Sequence, residues 1–333
     1  MPKSSFMRIR TGLAVLSALF MLASCGNSSE AKESKISTFS NGRMNTINVV
    51  MESDQWKGDV GDSLRGILAT PTLGLPTDEP LFTINQLNVE TFSGFHKEKR
   101  LLLEIITADT AEITIEKDVY AVPQTVVKVY GKNDADIAAL LATNEERIVS
   151  ALKTQELQER QRRISKNLQK VDAMKRELGV SFKFPQAYRY AAKDPDFFWM
   201  TKDLKIGEMN IMVYEVPINT IDRDTNTIAR IIRMRDSVGS RRIPVDNGRF
   251  ITQTDFAPYL HKTSLDGKPT WETRGLWEVD GQSMGGPFVN YAIRDKARKR
   301  YVILEGFIHS PSIDKRDNML ELDAILRTVK LED

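Results

Sequence analysis

The sequence holds one cysteine, Cys25, and three histidines in 333 residues. His96, His261 and His309 lie far apart and none opens an H-x-x-x-H or H-x-x-E-H spacing, so no metal site is legible and no metal or other cofactor is expected. An excess of one charge is lacking too, with 47 basic residues against 45 acidic ones. A nucleic-acid binder needs a basic surplus to displace counterions from phosphates, so that class is set aside. Long apolar runs are also missing. The run from Leu13 to Ala23, broken only by Ser17, would reach about 17 Å as a helix against roughly 30 Å of hydrocarbon, so a permanent span is not expected. Between Asp134 and Leu178 there is neither proline nor glycine, which leaves a long stretch without the strong helix breakers.

What is present starts at the N-terminus. A basic start (Lys3, Arg8, Arg10), the apolar run, and the small residues Ala23 and Ser24 have the make-up of a secretory signal over residues 1–24. Leu22-Ala23-Ser24-Cys25 resembles the lipobox of bacterial lipoproteins. The resemblance implies cleavage between Ser24 and Cys25, transfer of a diacylglycerol to the Cys25 thiol, and acylation of the new amine. Each buried methylene contributes about 0.8 kcal/mol, and two or more acyl chains suffice for stable anchoring. An acylated Cys25 leaves no thiol for disulfides, thiolate metal sites or cysteine catalysis, so the fold must hold by its core alone. Loss of the signal removes three basic and no acidic residues, which leaves 44 basic against 45 acidic. Residues 25–43 read as the lipidated cysteine and a tether, rich in Ser, Lys and Glu up to Thr38. Surface-exported lipoproteins of Bacteroidota carry an acidic patch after the cysteine. Here Glu30 and Glu33 are balanced by Lys32 and Lys35, which favours an outer-membrane position facing the periplasm.

The rest reads as α+β: two mixed domains with antiparallel sheets packed by helices, over residues 44–152 and 180–333, joined by a bridging helix over 153–179. In the first half, β-branched content and partial alternation mark strands at 45–52, 81–92, 100–108, 112–115 and 124–130, with a helix at 55–69 and a proline loop at Pro71, Pro76 and Pro80. In the second, strands are expected at 188–192, 197–201, 209–216, 271–279, 288–294 and 301–309, and helices at 222–238 and 313–329. The apolar positions Ile137, Leu141, Ile148, Leu152, Ile164, Leu168, Val171 and Leu178 recur at helical steps. Residues 153–163 offer only Leu157 for burial. They imply either one helix that crosses solvent between the domains or two helices broken near Thr154. "HKEKRLLLE" (96–104) echoes "KARKRYVILE" (296–305), which raises an internal duplication as an alternative to two unrelated domains.

The lipobox together with "FPQAYRYAAKDPDFFWM", "GLWEVDGQSMGGPFVNYAIRD" and "RYVILEGFIHSPSIDKRDNMLELDAILRTVKL" resembles a family of uncharacterised Bacteroidota lipoproteins defined by a domain of unknown function. That family brings no activity or site residues. The closing strands and helix are also similar to the PsbP and Mog1 type of α/β/α sandwich, whose members are mostly accessory or binding proteins. A likeness of fold does not fix function.

Four groups of residues invite a chemical reading. Gly281-Gln282-Ser283-Met284-Gly285 matches the G-x-S-x-G nucleophile elbow, but that motif needs a helix after the serine, and residues 288–293 read as a strand. Asp194 and Asp196 flank Pro195 and fit a turn better than an acid–base pair. Phe198, Trp199, Trp271 and Trp277 fit a core, or a ligand or partner cleft between the domains. Arg162 and Arg163 sit in a basic run interspersed with Glu156, Glu159 and Glu177, which fits a solvated helix face or a surface that meets headgroups or an acidic partner. The sequence therefore points to a non-enzymatic envelope lipoprotein, an accessory or scaffold subunit that meets a membrane through its anchor and other envelope proteins through its surface. A small-ligand-binding lipoprotein is the alternative, and a hydrolase built on Ser283 the last.

Overall fold

The structure, a computed structural model, describes residues 38–170, 172–223 and 225–332. Ser24 and Cys25 lie outside the described residues.

The first sheet is built from β1 (Thr46–Val50), β2 (Thr83–Leu87), β3 (Leu101–Thr107), β4 (Glu112–Lys117) and β5 (Thr125–Gly131), in the order β2-β1-β3-β5-β4. The pairs β1–β2, β1–β3 and β3–β5 are parallel and only β4–β5 is antiparallel, so the expectation of antiparallel sheets holds for the second half alone. The reason lies in the connections. Between β1 and β2 the chain crosses over through α1 (Ser53–Lys57) and α2 (Asp59–Leu68), which returns it to the same end of the sheet. Strands such as "LLLEII" are apolar at successive positions because both faces are covered. One face packs under α2, α3 (Asp134–Thr143) and α4 (Glu145–Ile164), with Val60, Leu64, Ile137, Leu141, Ile148 and Leu152 buried against Ile47, Leu103 and Val127.

The bridging helix over 153–179 takes a different form. Helix α4 begins after Asn144, whose side-chain amide donates to Leu140 O, and it ends at Ile164; α5 (Asp172–Leu178) follows and stops at Gly179, with φ +64°. Nor does α4 cross solvent. One side of its polar middle is buried, where each group has a partner: Glu156 takes Arg100 at 2.6 Å and Gln155 accepts from Thr125 at 3.0 Å.

The second half has β7 (Arg189–Asp194), β8 (Phe197–Asp203), β9 (Glu208–Pro217), β10 (Phe250–Thr252), β11 (Tyr259–Leu265), β12 (Lys268–Val279), β13 (Gly285–Asp295) and β14 (Arg300–His309) in one antiparallel sheet, ordered β10-β12-β13-β14-β9-β8-β7 with β11 also on β12. A two-residue pair, β6 (Val180–Ser181) with β15 (Lys330–Leu331), stands beside it. The β11–β12 hairpin turns at Asp266 and Gly267, both at positive φ, as a tight two-residue loop requires. Helices α6 (Asn219–Asp222) and α7 (Thr227–Arg242) cover one face, over Phe197, Tyr214, Trp277, Phe288 and Tyr301. Helix α8 (Arg316–Leu326) covers the other, over Phe198, Ile211, Tyr291 and Leu304. The whole is α+β. Because the first sheet is mainly parallel and the second wholly antiparallel, the two halves are not copies of one topology, and "HKEKRLLLE" and "KARKRYVILE" share only a basic turn before an apolar strand.

Residues from Thr38 onward form one compact unit. The proline loop between α2 and β2 carries much of the junction. Leu75 is buried among the residues under α8, and Gly74 (φ +81°) backs onto Arg274, where a Cβ would stand 3.0 Å from the Cβ of Arg274. The Glu79 carboxylate accepts from the backbone N–H of Lys315 at 2.8 Å and of Arg316 at 2.7 Å, capping α8 from the other half.

Candidate functional site

Three concentrations of polar side chains lie in or against the second sheet, and each is positioned by strands whose register can be read directly. The first is a cleft of about 560 Å³ between α6 and the sheet. Its wall includes Trp271 on β12, half-buried, with the Lys262 ammonium of β11 5.3 Å from the ring centroid. At its other side Asp222 accepts from the Tyr301 hydroxyl at 2.5 Å and pairs with Arg294 at 2.7 Å. Burial first, and then Asp222, push the Tyr301 hydroxyl well above its usual range, so it stays a hydrogen-bond donor. With Lys262 and Arg294 against Asp222, the cleft offers an aromatic face and one surplus positive charge.

The second lies deeper on the same face. Thr273, Asn290 and Glu305 occupy directly paired positions on β12, β13 and β14, and all three are fully buried. Arg235 of α7 descends on them, its Nη2 2.9 Å from Glu305 Oε1 and its guanidinium 3.8 Å from the Phe288 ring centroid. Asn290 donates to Glu305 at 2.9 Å. Burial pushes the Glu305 carboxyl up, with Arg235 and Asn290 opposing. This is a sealed ion pair, closed over by aromatic rings.

The third faces α8. Arg274 bridges Glu272 (2.6 Å) and Asp323 (2.5 Å), and Arg327 bridges the same two carboxylates at 2.7 and 3.3 Å. Tyr291 donates to Asp323. Burial alone would raise the Asp323 carboxyl, but Arg274 and Arg327 overturn that and hold it below the usual carboxylate range.

Of the residues singled out from sequence, Trp271 alone lines the cleft. Trp277 shares its strand face, as the six-residue spacing implies, but is core: it stacks on Phe250 at 4.8 Å and donates to Ile308 O at 3.1 Å. Phe198 is buried on the α8 face, and Trp199, half-buried, donates to Asn210 Oδ1 at 2.8 Å. Phe198 and Trp277 thus take the first of the two readings, a core, while Trp271 lies under α6, on the face turned away from α8. Arg162 and Arg163 both pair with Glu159 at 2.6 Å. Asp194 and Asp196 both hold Arg242, at 3.1 and 2.6 Å, beside the β7–β8 turn. Ser283 is exposed in the turn of the β12–β13 hairpin, where a nucleophile elbow would have a helix. The residues that sequence reasoning missed, Asp222, Lys262, Arg294 and Tyr301, come from α6, β11 and the paired strands β13 and β14, and none carries a local signal.

Residues 40–165 match a domain of unknown function (DUF8532), and residues 167–328 match a second domain of unknown function (DUF4837). No curated protein matches the chain. Among solved structures there is a weak similarity to the Ran-binding protein Mog1p of Saccharomyces cerevisiae, with a TM-score of 0.31, 9% identity, and coverage of 46% of this chain and 90% of that one.

Proposed function

We propose that the protein is a lipid-anchored lipoprotein of the bacterial cell envelope, of the Bacteroidota kind that its sequence resembles, acting as a non-enzymatic accessory or scaffold subunit on the periplasmic side of the outer membrane. The observation that carries this reading is the placement of Leu22-Ala23-Ser24-Cys25 at the end of a signal-like apolar run and ahead of a Ser, Lys and Glu tether. The fold beyond the tether is compatible with such a role. Its buried charges are spent on joining elements, Arg100 to Glu156, Arg235 to Glu305 and Glu79 to α8, which suits a rigid body that presents surfaces.

A test compares the native chain with Cys25→Ala by in-cell crosslinking and affinity purification, with partners identified by mass spectrometry. Envelope proteins that co-purify with the anchored form only are the expected result. Labelling of Ser283 by a serine-reactive probe, or an activity that disappears with Ser283→Ala, would contradict the non-enzymatic role.

A second reading, a small-ligand-binding lipoprotein, is favoured by the Trp271 cleft, which joins an aromatic face to the Asp222–Arg294 pair and the Lys262 ammonium. Thermal-shift screening against sugars, lipids and peptides would show stabilisation that Trp271→Ala removes. A screen without hits would set that reading aside.

A further inference from the structure

The chain enters the first sheet immediately after the tether, and the way it is pinned there leaves two aromatic rings in water. Ser40 N–H donates to Val122 O at 3.0 Å and Asn41 N–H to Glu98 O at 2.8 Å. The Asn41 side chain donates to Glu98 Oε2 at 3.1 Å and accepts from Lys99 Nζ at 2.7 Å. Phe39, just before this clasp, is 80% exposed, and Phe95, on the segment that precedes β3, is 62% exposed; among the described residues no other large apolar side chain exceeds 48%. Lys99 connects the two sites. Its ammonium stands 5.6 Å from the Phe95 ring centroid while it holds Asn41, two residues along from Phe39. Beside it, the Lys97 ammonium stands 5.5 Å from the Phe92 ring and 5.2 Å from the Tyr120 ring, and Arg43 is exposed next to Gly42. Carboxylates stand among these three cations too: Glu98 accepts from the Asn41 side chain and Glu104 from the Tyr120 hydroxyl at 3.2 Å, which leaves Lys99 and Arg43 on the side of the exposed rings.

Exposed aromatics set among lysines match the boundary between headgroups and acyl chains, where rings enter and ammonium groups stay at the anionic surface. Position in the chain selects a bilayer as the occupant. Residues 26–38 separate Cys25 from Phe39, a reach of roughly 45 Å when extended and far less when coiled, so a lipid-anchored Cys25 holds this face close to the membrane. We propose that Phe39, Phe95, Lys97 and Lys99 form a face that lies against an anionic lipid surface, so that the folded part rests on the membrane in one orientation. The proposal deepens the anchor reading and rests on it only in that the anchor supplies the bilayer.

The experiment separates the two. The full mature chain is coupled through Cys25 to a maleimide lipid in vesicles of phosphatidylethanolamine and phosphatidylglycerol with brominated acyl chains. Phe39→Trp and Phe95→Trp each add one indole to a parent that has four tryptophans. The added emission is expected to shift to the blue and to be quenched by the bromines, with loss of quenching when Lys97 and Lys99 are both changed to Glu. Added emission that stays unquenched at both positions overturns the proposal whatever the state of Cys25, and would leave the face to a protein partner. Equal quenching in phosphatidylcholine vesicles overturns its anionic part. Separately, a native Cys25 found unmodified by mass spectrometry overturns the anchor reading and not this one.

Discussion

Arg235 and Glu305 expose only 1% and 0% of their surface, and they pair with each other at 2.9 Å. Removal of one member of such a pair leaves an uncompensated charge among Phe250 and Phe288, so Arg235→Met is expected to cost about 3–5 kcal/mol, while Arg235→Met with Glu305→Leu recovers most of it. Urea unfolding of the three chains measures this, and a double variant no better than the single would contradict it. Glu159 gives a pH signature at the same scale. Desolvation works to raise its carboxyl, but hydrogen bonds from Arg162 and Arg163 outweigh it and hold the group at about 2, below an unfolded value of 4.5. A depressed carboxylate stabilises the fold above its unfolded pKa, and that contribution is lost as pH falls toward the folded one. Thermal unfolding at about pH 5 and about pH 3 should therefore show a smaller acid loss in Glu159→Gln than in the native chain.

Helix α8 starts without a side-chain cap of its own, and Glu79, from a loop of the other half, accepts from its first N–H groups. Glu79→Ala is expected to destabilise by about 1–2 kcal/mol, with Gln recovering part of the loss, as read from denaturant midpoints. No change on Glu79→Ala would mean the cap contributes nothing. The same element shows what sequence can and cannot carry. Asp314 and the spacing of Leu320, Ala324 and Ile325 make a helix legible near residue 313, yet no pattern in residues 313–329 says that its cap lies 236 residues away. Strands β3, β5, β9, β13 and β14 are legible from their apolar runs. Strand β11 is not, because Tyr259, His261 and Lys262 are exposed and only pairing with β12 makes it a strand. The parallel pairing of β1, β2 and β3 escaped for another reason: it depends on where segments 69–82 and 88–100 bring the chain back. In the cleft, Trp271 stands out as an aromatic residue, whereas Asp222, Arg294 and Tyr301 acquire meaning only when α6, β13 and β14 meet.

At the scale of the molecule, α4 belongs to both cores: Ile148 and Leu152 are buried with the first sheet and Ile164 with the second. Leu75 crosses in the same sense from the proline loop. The two regions matched by separate domains of unknown function should therefore unfold together, as one calorimetric transition whose van't Hoff and calorimetric enthalpies agree. Two resolved transitions would show the halves to be independent. The anchor proposed for that unit is Cys25. The most direct test is the mass of the mature chain purified from the envelope of cells that make it. The account predicts a chain that starts at Cys25 and carries a diacylglycerol and a further acyl group. A chain that retains residues 1–24, or one that begins at Cys25 with a free thiol, would contradict it.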